Sequence, residues 1–282
     1  MARCSMKDFR DRVVAVTGAA SGIGRALAVE LASRGAHLAL SDVDDAGLAD
    51  TVGRCEGRGV KVTAQHLDVA GREAVHRWAD RVVDDHGRVN MIVNNAGVAL
   101  SSTIEAMSYD DLEWLMGVNF WGVVHGTKAF LPHLRAAGEG HVVNVSSVFG
   151  LLAIPSQSAY NAAKFGVRGF TDALRIELEI ERSPVSATTV HPGGIRTNIV
   201  RNARLDPESS PIGGDADRAA REFDRVARTT PDAAARQILR AVERNRRRAL
   251  IGPDAVAFDL VSRLPAGVSQ RILVAGSRRR RP

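Results

Sequence analysis

Short apolar runs alternate with longer amphipathic segments from about residue 12 to residue 252. Val13–Thr17 is nearly all apolar and predicts a buried strand. From Ile23 to Arg34 the positions Ile23, Leu27 and Leu31 recur every fourth residue, which predicts a helix with one face inward. The rhythm goes on to predict strands over 37–42, 60–67 and 91–94, with helices over 44–56 and 71–85 between them. In the second half it predicts a long helical stretch over 109–135, a strand over 140–146 and a helix over 158–181. A strand over 184–190, a helix over 231–245 and a short strand over 249–251 complete the series. The run from His141 to Val145 is almost continuously apolar, as expected of a sheet covered on both faces. Alternating strands and helices imply an α/β fold: one doubly wound parallel sheet of about seven strands, with helices on both faces. No central linker or repeat divides the chain, so 1–282 reads as a single domain with its core over about 10–252.

One segment breaks this rhythm. Residues 198–230 carry Pro207, Pro211, Gly213 and Gly214 and show no strand period. Such a stretch is too long for an ordinary connection and is expected to form a lid over a binding site. A further helix is expected over 255–264, followed by a C-terminal extension, 265–282, that ends in a basic tail.

Composition adds mainly exclusions. The chain is 45% hydrophobic and 25% charged, ordinary for a globular protein. The net charge of +6 falls to +2 without Arg278, Arg279, Arg280 and Arg281, and no aromatic residue interleaves that run. It is expected to be a solvated tail rather than a nucleic-acid site, weak contact with anionic membranes or nucleic acid being the alternative. Cys4 and Cys55 have no metal-ligand spacing and suggest no disulfide framework. No run of 18 apolar residues occurs, and the first 12 residues lack the apolar stretch of a signal peptide. A cytoplasmic protein without a metal is the resulting expectation.

The first predicted strand runs directly into Thr17-Gly18-Ala19-Ala20-Ser21-Gly22-Ile23-Gly24, and a helix follows. Glycines let backbone approach a pyrophosphate, and the helix N-terminus offers free N–H groups and a positive dipole end. Asp42 ends the second strand, 18 residues after Gly24. A carboxylate there accepts hydrogen bonds from an adenosine ribose and repels a 2′-phosphate, which favours NAD over NADP. Its alternative role is to cap the following helix. Asp68 and Val69 follow the third strand, where an adenine edge is expected. Asn94, Asn95, Ala96 and Gly97 follow the fourth, and their small or amide side chains suit close approach of a cofactor. For Asn94 a bond between neighbouring strands is an equal alternative.

Tyr160 and Lys164 stand four residues apart, on one face of a predicted helix. A free tyrosine has a pKa near 10, and a fixed cation nearby lowers it, giving a tuned general acid/base. Ser147 lies just past a buried strand, at the sheet edge where ligands bind, and could hold a substrate oxygen beside Tyr160.

The glycine loop, Asn94-Asn95-Ala96-Gly97, Asn119, Ser147, Tyr160, Lys164 and Pro192-Gly193-x-x-x-Thr197 together resemble the short-chain dehydrogenase/reductase family. The resemblance covers about residues 10–252 and implies a Rossmann fold and NAD(P)-dependent oxidation of alcohols or reduction of carbonyls. Tyr160 would exchange the proton, Lys164 would lower its pKa and bind the nicotinamide ribose, and Ser147 would orient the substrate. Asn119 would hold a water in a proton relay. Pro192, Gly193, Ile195 and Thr197 would position the nicotinamide. Gly18, Ser21, Gly22, Ile23, Gly24, Asp42, Asp68, Val69, Asn95, Ala96 and Gly97 would hold the rest of the cofactor. The resemblance also implies a dimer or tetramer built through the two long helices.

Around the reacting carbon the sequence expects Val98, Ala99, Leu100, residues 148–154 with Phe149, and Ile199 and Val200. These are mostly aliphatic, which points to an apolar secondary alcohol or ketone. Part of this set could instead pack in the core, and Arg201 or Arg204 could fold over an acidic group. A reductase of fatty aldehydes or acyl thioesters is the main alternative. A catalytically silent NAD-binding protein would be expected to lack Tyr160, Lys164 or Ser147, and all three are present.

Overall fold

A computed structural model describes residues 6–205 and 227–278. Seven strands form one parallel sheet, ordered β3-β2-β1-β4-β6-β7-β9. They are β1 (Val13–Thr17), β2 (His37–Asp42), β3 (Val62–His66), β4 (Met91–Asn94), β6 (Gly140–Val145), β7 (Val185–Pro192) and β9 (Arg248–Ile251). The helices are α1 (Gly22–Ser33), α2 (Asp45–Cys55), α3 (Arg72–His86), α4 (Tyr109–Met116), α5 (Gly122–Ala136), α6 (Ser158–Ile180) and α7 (Pro231–Glu243), then α8 (Pro253–Ser262) and α9 (Ala266–Arg278).

Strand periodicity divides the core in two. Val14 and Val16 point to one face, against Leu27 and Leu31 of α1 and Ile238 and Leu239 of α7. Val13 and Ala15 point to the other, with Trp78 of α3, Phe130 of α5 and Leu178 of α6. Trp78 and Phe130 meet edge to face with ring centres 5.1 Å apart. Because both faces are covered, the strands read as unbroken apolar runs. The chain winds outward from β1 to β3 and then returns to β4 beside β1. The crevice at the carboxyl ends of β1 and β4 is therefore the topological switch point, where ligands bind in such sheets.

Most predicted elements fall within two residues of these limits. The predicted 109–135 stretch is helical throughout, but Gly117–Trp121 is a π-helical turn between α4 and α5. Within the expected strandless 198–230 segment, β8 (Arg204–Leu205) pairs with β5 (Leu100–Ser101). Residues 206–226 of that expected lid lie outside the described residues. The extension over 265–282 is helical from Ala266 to Arg278 in α9, and of the arginine run expected as a solvated tail Arg279, Arg280 and Arg281 lie outside the described residues. Among the described residues no helix is long and apolar enough to cross a membrane.

Candidate active site

The glycine loop is built for close approach. Gly18 has φ +66° and Gly22 has φ +54°, both in the left-handed region. A Cβ on Gly24 would run into the Gly18 carbonyl and stand 2.6 Å from Asn95 Nδ2. Ser21 precedes α1, is exposed and makes no side-chain cap, so the first N–H groups of α1 point outward unclaimed by it. Ile23 and Gly22 are partly exposed on the same turn. The loop also reaches the far end of the site, since a Cβ on Gly22 would stand 3.1 Å from Thr197 Cγ2.

Asp42 shapes this loop directly. Its Oδ2 accepts from Ala20 N at 2.8 Å, and its Oδ1 accepts from Val43 N and Asp44 N at 2.8 and 3.1 Å. Capping of α2 falls to Asp44, which accepts from Gly47 N, so Asp42 is not the helix cap. Arg25, just after the loop, donates to the Ala20 carbonyl and pairs with Asp50 at 2.8 Å. It was not singled out from sequence.

Asn95 serves the loop rather than open space. Its amide donates to the carbonyls of Thr17 and Gly18 at 2.9 and 3.1 Å. Thr17 Oγ1 accepts from Asn95 N and Ala96 N, which ties the end of β4 to the end of β1. Asn94 is 2% exposed and donates to Asn144 Oδ1 at 2.8 Å and Thr127 Oγ1 at 3.2 Å. Of its two expected roles, the inter-strand bond is the one it fills. Asp68 is exposed and accepts from Ala70 N at 2.9 Å, and Val69 is buried beneath Gly122.

Tyr160, Lys164, Ser147, Gly97 and Asn119 converge. Lys164 is 3% exposed, donates to the Val145 carbonyl at 3.0 Å, and holds its Nζ 5.6 Å from the Tyr160 ring centre. A Cβ on Gly97 would stand 3.2 Å from Asn119 Oδ1 and 3.6 Å from Lys164 Nζ. The exposed Gly97 thus leaves a path to the ammonium. Ser147 Oγ accepts from Phe149 N at 3.1 Å. Burial lowers the Lys164 ammonium to about 8. The same burial raises the Tyr160 phenol above its ordinary value, and Ser147 opposes that rise. The shift therefore runs opposite to the lowering expected from Lys164: burial dominates, and the opposing influence comes from Ser147.

Asn119 is bound to the main chain at the edge of the site. It is fully buried, and its amide bonds to Val98, accepting from Val98 N and donating to the Val98 carbonyl, both at 2.8 Å. These two bonds use one of its two amide donors and one of its two acceptor positions. Ile195 is buried and bridges to Thr229, while Pro192 ends β7. Gly193 abuts the Asp254 carboxylate, which accepts from Gly194 N at 2.5 Å. Asp254 and His191 were missed from sequence. His191 Nδ1 lies 2.8 Å from the Ser147 carbonyl, and burial pushes its pKa down to about 4, so Nδ1–H is the donor. His191 had adjacency to Pro192-Gly193 as its only sequence signal, and Asp254, 60 residues beyond Gly194, had none.

The expected substrate set divides. Val148, Leu151 and Leu152 are buried and pack, as does Leu100 in β5. Val98, Ala99, Phe149, Ile154, Ile199 and Val200 remain partly exposed. Phe149 meets the Tyr160 ring edge-on, with centres 6.0 Å apart. Arg204 pairs with Asp111 at 2.8 Å and stacks 3.7 Å over Trp114, so it is committed to the fold. Among the described residues no group of three His, Cys, Asp or Glu side chains is placed to hold a metal ion.

Together these features fit a nicotinamide dinucleotide: a side-chain-free phosphate loop at the switch point, a carboxylate at the end of β2, and a buried ammonium beside an open glycine. Comparison with known proteins agrees. Residues 12–208 match the model for short chain dehydrogenase. A putative oxidoreductase, SadH, from Mycobacterium tuberculosis is 48% identical over 272 residues, covering 96% of this chain and 97% of that protein. A short chain dehydrogenase/reductase from Burkholderia phymatum, solved in complex with NAD, superimposes with a TM-score of 0.82 at 32% identity, covering 90% and 93% of the two chains. Levodione reductase superimposes with a TM-score of 0.77 at 30% identity, covering 88% and 99%. The chain belongs to the short-chain dehydrogenase/reductase family and is an NAD(P)-dependent oxidoreductase.

Proposed function

We propose that the protein interconverts an apolar secondary alcohol and its ketone, with NAD as the preferred carrier and Tyr160 as general acid/base. The observation that carries this reading is the Tyr160 ring beside the buried Lys164 ammonium, which faces the open Gly97 next to the glycine loop. When bound, the nicotinamide cofactor supplies or accepts the hydride. The proton is handled by Tyr160, whose phenol is held in its protonated form by burial and so stands ready to donate to a carbonyl oxygen. In the opposite direction the phenolate takes the proton from the alcohol, and Lys164 stabilises that charge. Ser147 orients the substrate oxygen, and its own position is fixed through Phe149 N and His191. Asn119 acts as a positioning residue that locks Val98 beside Gly97.

Gly18, Ser21, Gly22, Ile23 and Gly24 would hold the pyrophosphate and Asp42 the adenosine ribose. Asp68 and Val69 would meet the adenine, while Asn95, Ala96 and Gly97 shape the floor. Pro192, Gly193, Ile195 and Thr197 would meet the nicotinamide. The Asp42 carboxylate, held facing the loop, repels a 2′-phosphate and supports the NAD preference. The partly exposed Val98, Phe149, Ile154 and Ile199 support an apolar substrate, as does the apolar cluster with Met107, Trp114 and Phe120 that packs on Tyr160. Exposed Trp121 on the π-turn and Phe165 and Ile176 on α6 suit the family's dimer or tetramer contact through the long helices. The test is kcat/KM with NAD along a homologous series of secondary alcohols. It should rise with each methylene until the pocket fills. A flat series, or preference for sugars or charged acids, would contradict the reading.

A further inference from the structure

The last 23 residues, Leu260 to Pro282, hold six arginines and no acidic residue, and of these Arg263 pairs with Asp259 of α8 at 2.6 Å. Of the chain's 38 basic residues, the remaining 32 balance its 32 acidic ones, so this stretch carries the whole net charge. The same region leaves apolar side chains in water. Val256, Leu260, Leu264, Val268 and Ile272 recur every fourth residue and are 41–61% exposed. Within α8 and within α9 this spacing keeps them on one face. Of residues 266–276, Ser269 alone is buried, so the core does little to hold α9. Contiguous exposed apolar surface on a helix marks a contact with something outside the chain.

We propose that α8 and α9 dock on an anionic lipid surface, with the apolar side chains at the headgroup boundary and the basic C-terminal sequence supplying the attraction. A second copy on this face would bring two strongly basic C-terminal ends together, which opposes self-association. An anionic bilayer takes up both features at once. Neither helix is long and apolar enough to cross the membrane, so the pair lies on it. The surface abuts the catalytic region. Phe258 of α8 contacts Phe149, with ring centres 6.3 Å apart, and Phe149 meets Tyr160. An apolar molecule leaving the bilayer there would meet an apolar approach to the site.

The test is co-sedimentation of the full chain with vesicles of phosphatidylglycerol and phosphatidylcholine, against vesicles of phosphatidylcholine alone. Binding is expected only to the anionic vesicles and should weaken as salt rises. Replacing Arg278, Arg279, Arg280 and Arg281 together by Gln should weaken it at least about 100-fold, from the usual contribution of each surface arginine. The pair Leu260→Asp and Ile272→Asp should abolish it while leaving the thermal unfolding midpoint unchanged, since both positions are exposed. If that pair unfolds the protein, the arginine replacement decides alone. Failure to bind anionic vesicles, or equal binding to neutral ones, would overturn the proposal. So would light scattering in which Leu260→Asp with Ile272→Asp halves the mass, because the face would then join two copies.

Discussion

Lys164→Met should make the cofactor-free protein more stable while removing its activity. Burial takes the Lys164 ammonium from an ordinary 10.5 to about 8. At about 1.4 kcal/mol per pH unit, holding that charge inside the fold at neutral pH costs about 3 kcal/mol. Methionine has a similar shape but gives up the hydrogen bond to the Val145 carbonyl, worth about 1 kcal/mol. The net gain is about 2 kcal/mol, or roughly 4 °C in Tm for a chain of this size. The gain must depend on pH in one direction. Between about 8 and 10.5 the unfolded chain binds a proton at Lys164 that the folded chain has lost, so wild-type stability rises with pH through that window. The variant has no such group. Its advantage should be full below about pH 8 and should vanish, or reverse slightly, near 10.5. Thermal unfolding of both proteins without cofactor, at a series of pH values, checks this. A variant less stable than wild type at pH 7, or a difference that ignores pH, would refute the reasoning.

Three further outcomes are expected. Asp42→Ala should narrow the preference for NAD by relieving repulsion of a 2′-phosphate, and should loosen the loop that Asp42 grips through Ala20 N; kcat/KM with both cofactors reads the first effect. Gly24→Ala should weaken NAD binding by at least about tenfold, because its Cβ meets the Gly18 carbonyl and the Asn95 amide; titration calorimetry measures it. Because burial raises the Tyr160 phenol, alcohol oxidation should speed up with rising pH and carbonyl reduction should slow; matched pH profiles in the two directions would show it, and parallel profiles would count against the assignment.

The sheet was legible because both its faces are covered, which leaves strands such as β4 and β6 as uninterrupted apolar runs. What escaped is what depends on register or on spending a side chain. Asn94 and Asn144 sit opposite one another in β4 and β6, and that pairing exists only once the strands are aligned. The π-turn at Gly117–Trp121 inserts within an unbroken helical pattern, where periodicity over a few residues cannot reveal it. For Asn119 and Asn95 the type and position were readable, but not that their amides bind main-chain groups. The sign of the Tyr160 shift was misjudged because spacing shows the lysine and not the burial. Helix α9 was hidden by the arginines that end it, which read as a solvated tail.

The most direct test of the account compares Tyr160→Phe with wild type in two assays on the same preparation: turnover of a secondary alcohol with NAD, and NAD affinity. The phenol hydroxyl alone is lost, so turnover should fall by about 10² to 10⁴ while affinity stays close to wild type. A variant that keeps half its turnover would contradict the central claim that Tyr160 carries the proton.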